Sequence, residues 1–348
     1  MMPSKQFGGR ISEKWKSQYR LSPNWKDGSF KNLFETRTAV NFRQLPGILC
    51  KQLKGHSEGN PTSALPICPL NKMYFLETGE KAKFVWYGHS VVLMQLHNQT
   101  ILIDPMLGDD ASPIAPKKTR RFSADPLSVI DTLPEIDLLL LTHDHYDHLD
   151  YSSISKLKSK VKLYYVSLGV KRHLVSWGIE VNKIVEFDWW QTKAFNDIQI
   201  TFTPTRHFSG RGLTSLSKCL WGGWALKTDQ ENIWFSGDGG YAQHFKEIGE
   251  RLGPFDIGMM ECGQYCDDWP EIHMFPEESV QAALDANVKV AMPVHWGGFN
   301  LSYQHAWYEP AEKFSQYAEQ YSLDYVTPSL GEVFDINTKT GHWWKKYQ

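Results

Sequence analysis

The sequence predicts a layered α/β protein, and three observations point to it. Short apolar runs ending at Gly, Asp or Pro recur after about residue 81. Helical stretches with apolar residues on one face fall between several of them, the alternation that builds sheets covered by helices. The chain has 348 residues, 41% hydrophobic and 22% charged, which suits one large domain with extensions and an ordinary globular core.

Residues 1–78 carry turn formers such as Pro61, Pro66 and Pro69 and show no sustained period. They are expected to form an N-terminal extension packed on a domain spanning 79–348. Strands at 84–87, 91–96 and 100–103 read as an opening meander that stops at Asp104-Pro105. The connection 106–132 holds Pro113, Pro116, Pro126 and the basic run Lys117, Lys118, Thr119, Arg120, Arg121, and its length marks a functional loop. A buried strand is expected at 136–141. Asp150 then caps a helix to about 158, with Tyr151, Ile154 and Leu157 on one face. A strand at 161–166 leads to a helix that stops at Gly178. Strands at 198–203, 224–227, 232–235, 257–260 and 288–292 follow, and Pro276 opens a helix to about 286.

Lys and Arg number 37 against 39 Asp and Glu, so the chain has no global field to gather nucleic acid, and none is expected as a partner. Five scattered cysteines without metal-type spacing imply reduced thiols. The polar start lacks the apolar core of a secretion signal, and no run approaches the roughly 20 apolar residues of a membrane span. A cytoplasmic location is the resulting expectation.

The chemistry is concentrated in Thr142-His143-Asp144-His145-Tyr146-Asp147-His148, directly after the expected buried strand. Packing gives no reason for so many imidazoles and carboxylates in one turn. Neutral imidazoles and carboxylates suit a borderline cation such as zinc. His143 and His145 are spaced to converge on one ion, and Asp147 and His148 to face a second. One turn cannot fill two coordination shells, so further ligands are expected at strand ends on the same rim. His207, Asp238 and His295 stand there, after 198–203, 232–235 and 288–292.

The ordered set His143, His145, Asp147, His148, His207, Asp238, His295 resembles the metallo-β-lactamase superfamily over about residues 81–310. The resemblance implies an αββα sandwich with a binuclear metal site on one edge. It places His143, His145 and His207 on the first metal, Asp147, His148 and His295 on the second, and Asp238 between them. Diiron redox members typically have Glu where this chain has His145, so two Zn2+ are the expected cofactors, with iron or manganese left open. Hydrolysis by a metal-activated water is the expected chemistry.

Further stretches narrow the resemblance: Tyr87-Gly88-His89-Ser90, Ile103-Asp104-Pro105, Ser236-Gly237-Asp238-Gly239-Gly240, His273-Met274-Phe275-Pro276 and His295-Trp296-Gly297. Together with the extension they are similar to the N-acyl-phosphatidylethanolamine-hydrolysing phospholipase D family. That family releases an N-acylethanolamine and phosphatidic acid. The resemblance implies catalytic roles for Asp147, Asp238 and His273, substrate contacts at His273 and His305, and a homodimer. His89 reads as a tie between the first hairpin and the site, or as a partner holding a ligand in orientation. A phospholipid substrate calls for peripheral membrane contact, for which Trp15, Trp25, Phe30, Phe34, Phe122 and the basic run are the candidates; the alternative is a solvated basic loop with aromatics packed inward. Cys262 and Cys266 read as independent core residues or a redox pair. Two rival functions remain: a hydrolase of lactones, thioesters or other phosphodiesters at the same metals, and a non-catalytic metal-binding scaffold.

Overall fold

The computed structural model describes residues 5–37, 47, 50–51, 54–79, 81–114, 118–212 and 215–348. A small hairpin pairs β1 (Trp25–Lys26) with β2 (Ser29–Phe30). The first large sheet contains β3 (Lys83–Trp86), β4 (Val92–Leu96), β5 (Gln99–Ile103), β6 (Ile136–Leu141), β7 (Val161–Ser167) and β8 (Ile184–Phe187). The second contains β9 (Thr192–Phe195), β10 (Ile198–Thr203), β11 (Gly223–Lys227), β12 (Asn232–Phe235), β13 (Phe255–Glu261), β14 (Val288–Val294) and β15 (Asp324–Tyr325). The chain then returns to the first sheet with β16 (Val333–Phe334), giving the orders β16-β3-β4-β5-β6-β7-β8 and β15-β14-β13-β12-β11-β10-β9.

Both sheets begin as antiparallel meanders and finish as parallel strands, from β5 to β8 and from β12 to β15. Side-chain alternation gives the central strands two buried faces. In β4, Val92, Met94 and Leu96 enter the core between the sheets, where they join Trp86, Leu140, Trp224, Phe235 and Met259. Leu93 points the other way, with Leu139 and Leu141, toward Ile154, Leu157 and Leu174 of the helices Tyr151–Leu157 and Lys171–Ser176. The outer face of the second sheet, including Trp234, Met260 and Ala291, is covered from the helices His244–Leu252, Pro276–Asp285 and Glu309–Gln320. The layers run helix, sheet, sheet, helix. Asp150 accepts from the Ser153 amide, capping the helix that follows the histidine-rich turn.

The strands expected from sequence are present with ends shifted by a residue or two. The sequence pattern did not single out β8, β9, β15, β16 or the helices His244–Leu252 and Glu309–Gln320. β9 is short, polar and exposed, so no alternation marks it. The helix Glu309–Gln320 buries Pro310, Ala311, Phe314, Ser315 and Ala318, small or polar residues for the most part, and so carries little apolar signal.

The described part of residues 5–37 lies against the domain: the Phe30 amide donates to the Ser217 carbonyl at 2.8 Å, and Tyr19, Trp25 and Phe30 form one ring cluster within the intersheet core. The aromatics considered for membrane contact mostly pack inward. Trp25, Phe30 and Phe122 are buried, Phe122 edge-on to Trp307, and Trp15 packs on the core. Arg121 also departs from the expectation of a headgroup-facing cation. It is buried and donates to the carbonyls of Met106 and Tyr87. Lys118 pairs with Asp110 at 3.0 Å, and Lys117 lies outside the described residues. Cys262 and Cys266 are buried free thiols. Among the described residues, no helix is long and apolar enough to cross a membrane.

Candidate metal centre

Parallel strands deliver their C-terminal ends to one edge, and polar residues at such ends face a common crevice. β5 leads into Asp104, β6 into the histidine-rich turn, β12 into Asp238, β13 ends at Glu261 and β14 leads into His295. The antiparallel β10 adds His207. The turn after β6 is fixed from beneath: Asp104 accepts from the Thr142 amide at 2.9 Å and its hydroxyl at 2.6 Å, and the Leu149 amide returns to the His145 carbonyl. Asp238 is carried by a glycine turn. At Gly237, where φ is +67°, a Cβ would stand 2.2 Å from the Gly222 carbonyl oxygen, so the close approach admits only glycine.

These turns bring together seven residues from four separate stretches of the chain. The His145 Nδ1 lies 2.9 Å from His143 Nε2 and 3.3 Å from His207 Nε2. The His295 Nε2 lies 3.4 Å from both His148 Nε2 and Asp147 Oδ2. Asp238 Oδ2 reaches both groups, at 3.0 Å from His148 and His295 and 3.9 Å from His207. Within each of the clusters His143-His145-His207 and Asp147-His148-His295, the donor atoms lie within 4.8 Å of one another.

The outward nitrogens test whether a cation fits. Asp104 accepts from His148 Nδ1 at 2.8 Å, and the Ile272 carbonyl accepts from His207 Nδ1 at 2.9 Å. The Thr142 hydroxyl donates to Asp104 and so accepts from His143 Nδ1 at 3.0 Å. His295 Nδ1 faces Gly263 O and Glu261 Oε1, both at 3.4 Å. In these four histidines Nδ1 therefore carries a proton and Nε2 faces inward, as metal-binding histidines require, while His145 presents Nδ1 instead. Charge agrees. Burial holds His143 and His207 well below the ordinary histidine pKa, hence neutral. Burial also pulls on His148, but Asp238 and Asp147 outweigh it and push it up to about 10. His295 is raised in the same way. The buried carboxylates thus demand positive charge at this spot, which a divalent cation supplies. The donor set fits.

Above these donors opens a cavity of about 430 Å3 whose lining includes His145, Asp147, His207, Asp238 and His273. His273 stacks on His295 with centroids 5.2 Å apart, and its Nδ1 lies 3.2 Å from Glu261 Oε1. His305 lies apart from these donors. Its ring is buried against Tyr265 at 4.3 Å with Nδ1 bonded to the Ala306 carbonyl, and it stands outside the cavity lining. Three residues outside the expected donor set support the site. Asp104 and Glu261 hold imidazoles from behind, and Asn32 grips the His207 main chain. Only Asp104 had a local signal, a carboxylate at a strand end before proline.

The comparisons agree with this geometry. A family described as a beta-lactamase superfamily domain matches residues 99–296, a span containing all seven donors. An uncharacterized protein of Mycobacterium tuberculosis is 34% identical over 333 residues, 93% of this chain and 88% of that one. The N-acyl-phosphatidylethanolamine-hydrolyzing phospholipase D 1 of Caenorhabditis elegans is 30% identical over 271 residues, 73% of this chain and 76% of that one. Among solved structures, Igni18, a metallo hydrolase of Ignicoccus hospitalis, shares the fold with a TM-score of 0.56 at 17% identity, covering 74% of this chain and all of that one. The chain belongs to the metallo-β-lactamase superfamily of metal-dependent hydrolases and is similar, within it, to the N-acyl-phosphatidylethanolamine-hydrolysing phospholipases D.

Proposed function

We propose that this chain is a binuclear zinc phosphodiesterase of the phospholipase D type, cleaving N-acyl-phosphatidylethanolamine-like lipids to an N-acylethanolamine and phosphatidic acid. The observation that carries the reading is the reach of Asp238 Oδ2 to both imidazole groups, the placement of a bridging carboxylate. The similarity to the Caenorhabditis elegans enzyme supports the substrate class.

In this reading His143, His145 and His207 hold one cation, Asp147, His148 and His295 the other, and Asp238 both. Bound there, the two cations supply Lewis acidity, lowering the pKa of water and offsetting charge on the phosphate. The rest falls to the protein. Water oxygen bonds to phosphorus and gives up one proton, the bond from phosphorus to the ethanolamine oxygen breaks, and that oxygen takes up a proton in turn. His273, held at Nδ1 by Glu261, turns Nε2 to the cavity, where it binds a phosphate oxygen or gives the proton to the departing oxygen. Asp238 and Asp147 stay ionised: burial alone would raise their pKa, and the neighbouring histidines reverse it. Asp267, Asp268 and Glu271 stand on the cavity wall with Arg37, Asp268 paired to Lys51 at 2.9 Å and Glu271 to Arg206 at 2.8 Å.

Mass spectrometry of lipids after incubation of zinc-loaded protein with mixed phospholipids tests the reading. Paired appearance of N-acylethanolamine and phosphatidic acid is the expected result. Hydrolysis of a lactone or thioester with the phospholipids left intact would move the chain to another substrate class.

A further inference from the structure

The hairpin turn Tyr87-Gly88-His89-Ser90 touches the metal centre without contributing to the expected donor set. His89 is fully buried at φ +56°, next to Gly88 at φ +85°. Two successive left-handed residues aim its ring across the gap between the sheets. Its Nε2 lies 2.9 Å from Asp147 Oδ2, while its buried Nδ1 has no hydrogen-bond partner among the described residues. An ionised carboxylate only accepts, so Nε2 carries the proton and donates it to Asp147. Its inward nitrogen therefore has no lone pair for a cation. The main chain does a second job. The His89 carbonyl accepts the His295 amide at 2.9 Å, and the His89 amide donates to the Trp296 carbonyl at 2.7 Å. The His89 and His295 rings lie 4.1 Å apart, and a Cβ on Gly298 would come within 2.8 Å of His89 Cβ. Arg121 fixes the turn from behind through the Tyr87 carbonyl.

The contacts are one-sided: His89 bonds to Asp147 and His295, and no hydrogen bond joins it to His143, His145 or His207. We propose that His89 is a positioning residue for the second cation site alone, orienting Asp147 through its side chain and His295 through its main chain. Occupancy of one metal position thereby depends on a residue of the turn between β3 and β4. The inference rests on the two-site reading above.

Its test is a competition titration of metal-free protein with Zn2+ against a chromophoric chelator, comparing wild type with His89→Phe and His89→Gln. In His89→Phe one of the two binding events is expected to persist and the other to weaken roughly 10- to 100-fold. His89→Gln, whose amide nitrogen reaches the Nε2 position, should restore most of the loss. Equal weakening of both events, or of neither, overturns the proposal while leaving two metals in place. A wild type that binds a single ion overturns the two-site reading itself, and the proposal with it. If His89→Phe does not fold, the imidazole 1H–15N spectrum of the wild type decides. A proton kept on His89 Nε2 after zinc addition supports the assignment, and its loss would make His89 a ligand.

Discussion

Asn32 grips the main chain of His207 from both sides: its Nδ2 donates to the His207 carbonyl at 2.7 Å, and its Oδ1 accepts the His207 amide at 3.1 Å. The same oxygen accepts from Trp221 Nε1 at 3.0 Å. A residue near the start of the chain thus fixes a donor of the first imidazole cluster. Asn32→Ala should weaken the first zinc roughly 10-fold and leave the second in place, the reverse of the pattern expected at His89. Chelator competition reads this directly, and unchanged affinity would reduce Asn32 to a packing role.

Asp238→Ala removes the carboxylate shared by both clusters. Turnover of a phosphodiester should fall roughly 10³-fold even when the variant is saturated with zinc. Steady-state assays across a zinc series check it, and full activity in metal-replete protein would reject the bridging role.

His273 and His305 separate sharply. His273→Ala is expected to lower kcat roughly 10²-fold with zinc content unchanged, since its ring lines the cavity and the seven expected donors fill both sites without it, although its ligand atom lies within 4.8 Å of those of His207 and Asp238. His305→Ala should leave kcat/KM within about twofold of wild type, because its ring is packed on Tyr265 outside the cavity lining. Equal losses in the two variants would contradict this division.

Acid should destabilise the fold partly through His244. Burial, helped by Arg206, pulls this histidine from its ordinary 6.5 down to about 3, and neither ring nitrogen has a hydrogen-bond partner among the described residues. The unfolded chain therefore takes up a proton between those two pH values that the folded chain refuses. The stability tied to neutral His244 is complete above the unfolded value and falls on acidification, with a slope approaching about 1.4 kcal/mol per pH unit. His244→Phe, whose ring would pack on Phe245, should show a shallower fall in urea midpoint from neutral pH to about pH 5. Parallel curves for the two proteins would remove His244 from the acid response.

Much of the site was legible because metal chemistry leaves residues that packing does not explain. His143, His145, Asp147 and His148 crowd one turn, and His207, Asp238 and His295 each follow an apolar run that reads as a strand. The supporting residues were not legible in the same way. Asn32 and Glu261 are common residue types with no local pattern, and their roles arise only when β10 and β14 bring His207 and His295 beside them. His305 shows the converse: a histidine close in sequence to the site packs on Tyr265 with its Nδ1 bonded to the Ala306 carbonyl. The basic run shows the same limit, since composition cannot distinguish a solvated arginine from Arg121, which is spent on buried carbonyls.

Anomalous diffraction from zinc-grown crystals, recorded on both sides of the zinc absorption edge, tests the central claim most directly. Two peaks are predicted, one bonded by His143, His145 and His207 and the other by Asp147, His148 and His295, with Asp238 touching both. A single peak, or none among these side chains, would contradict it.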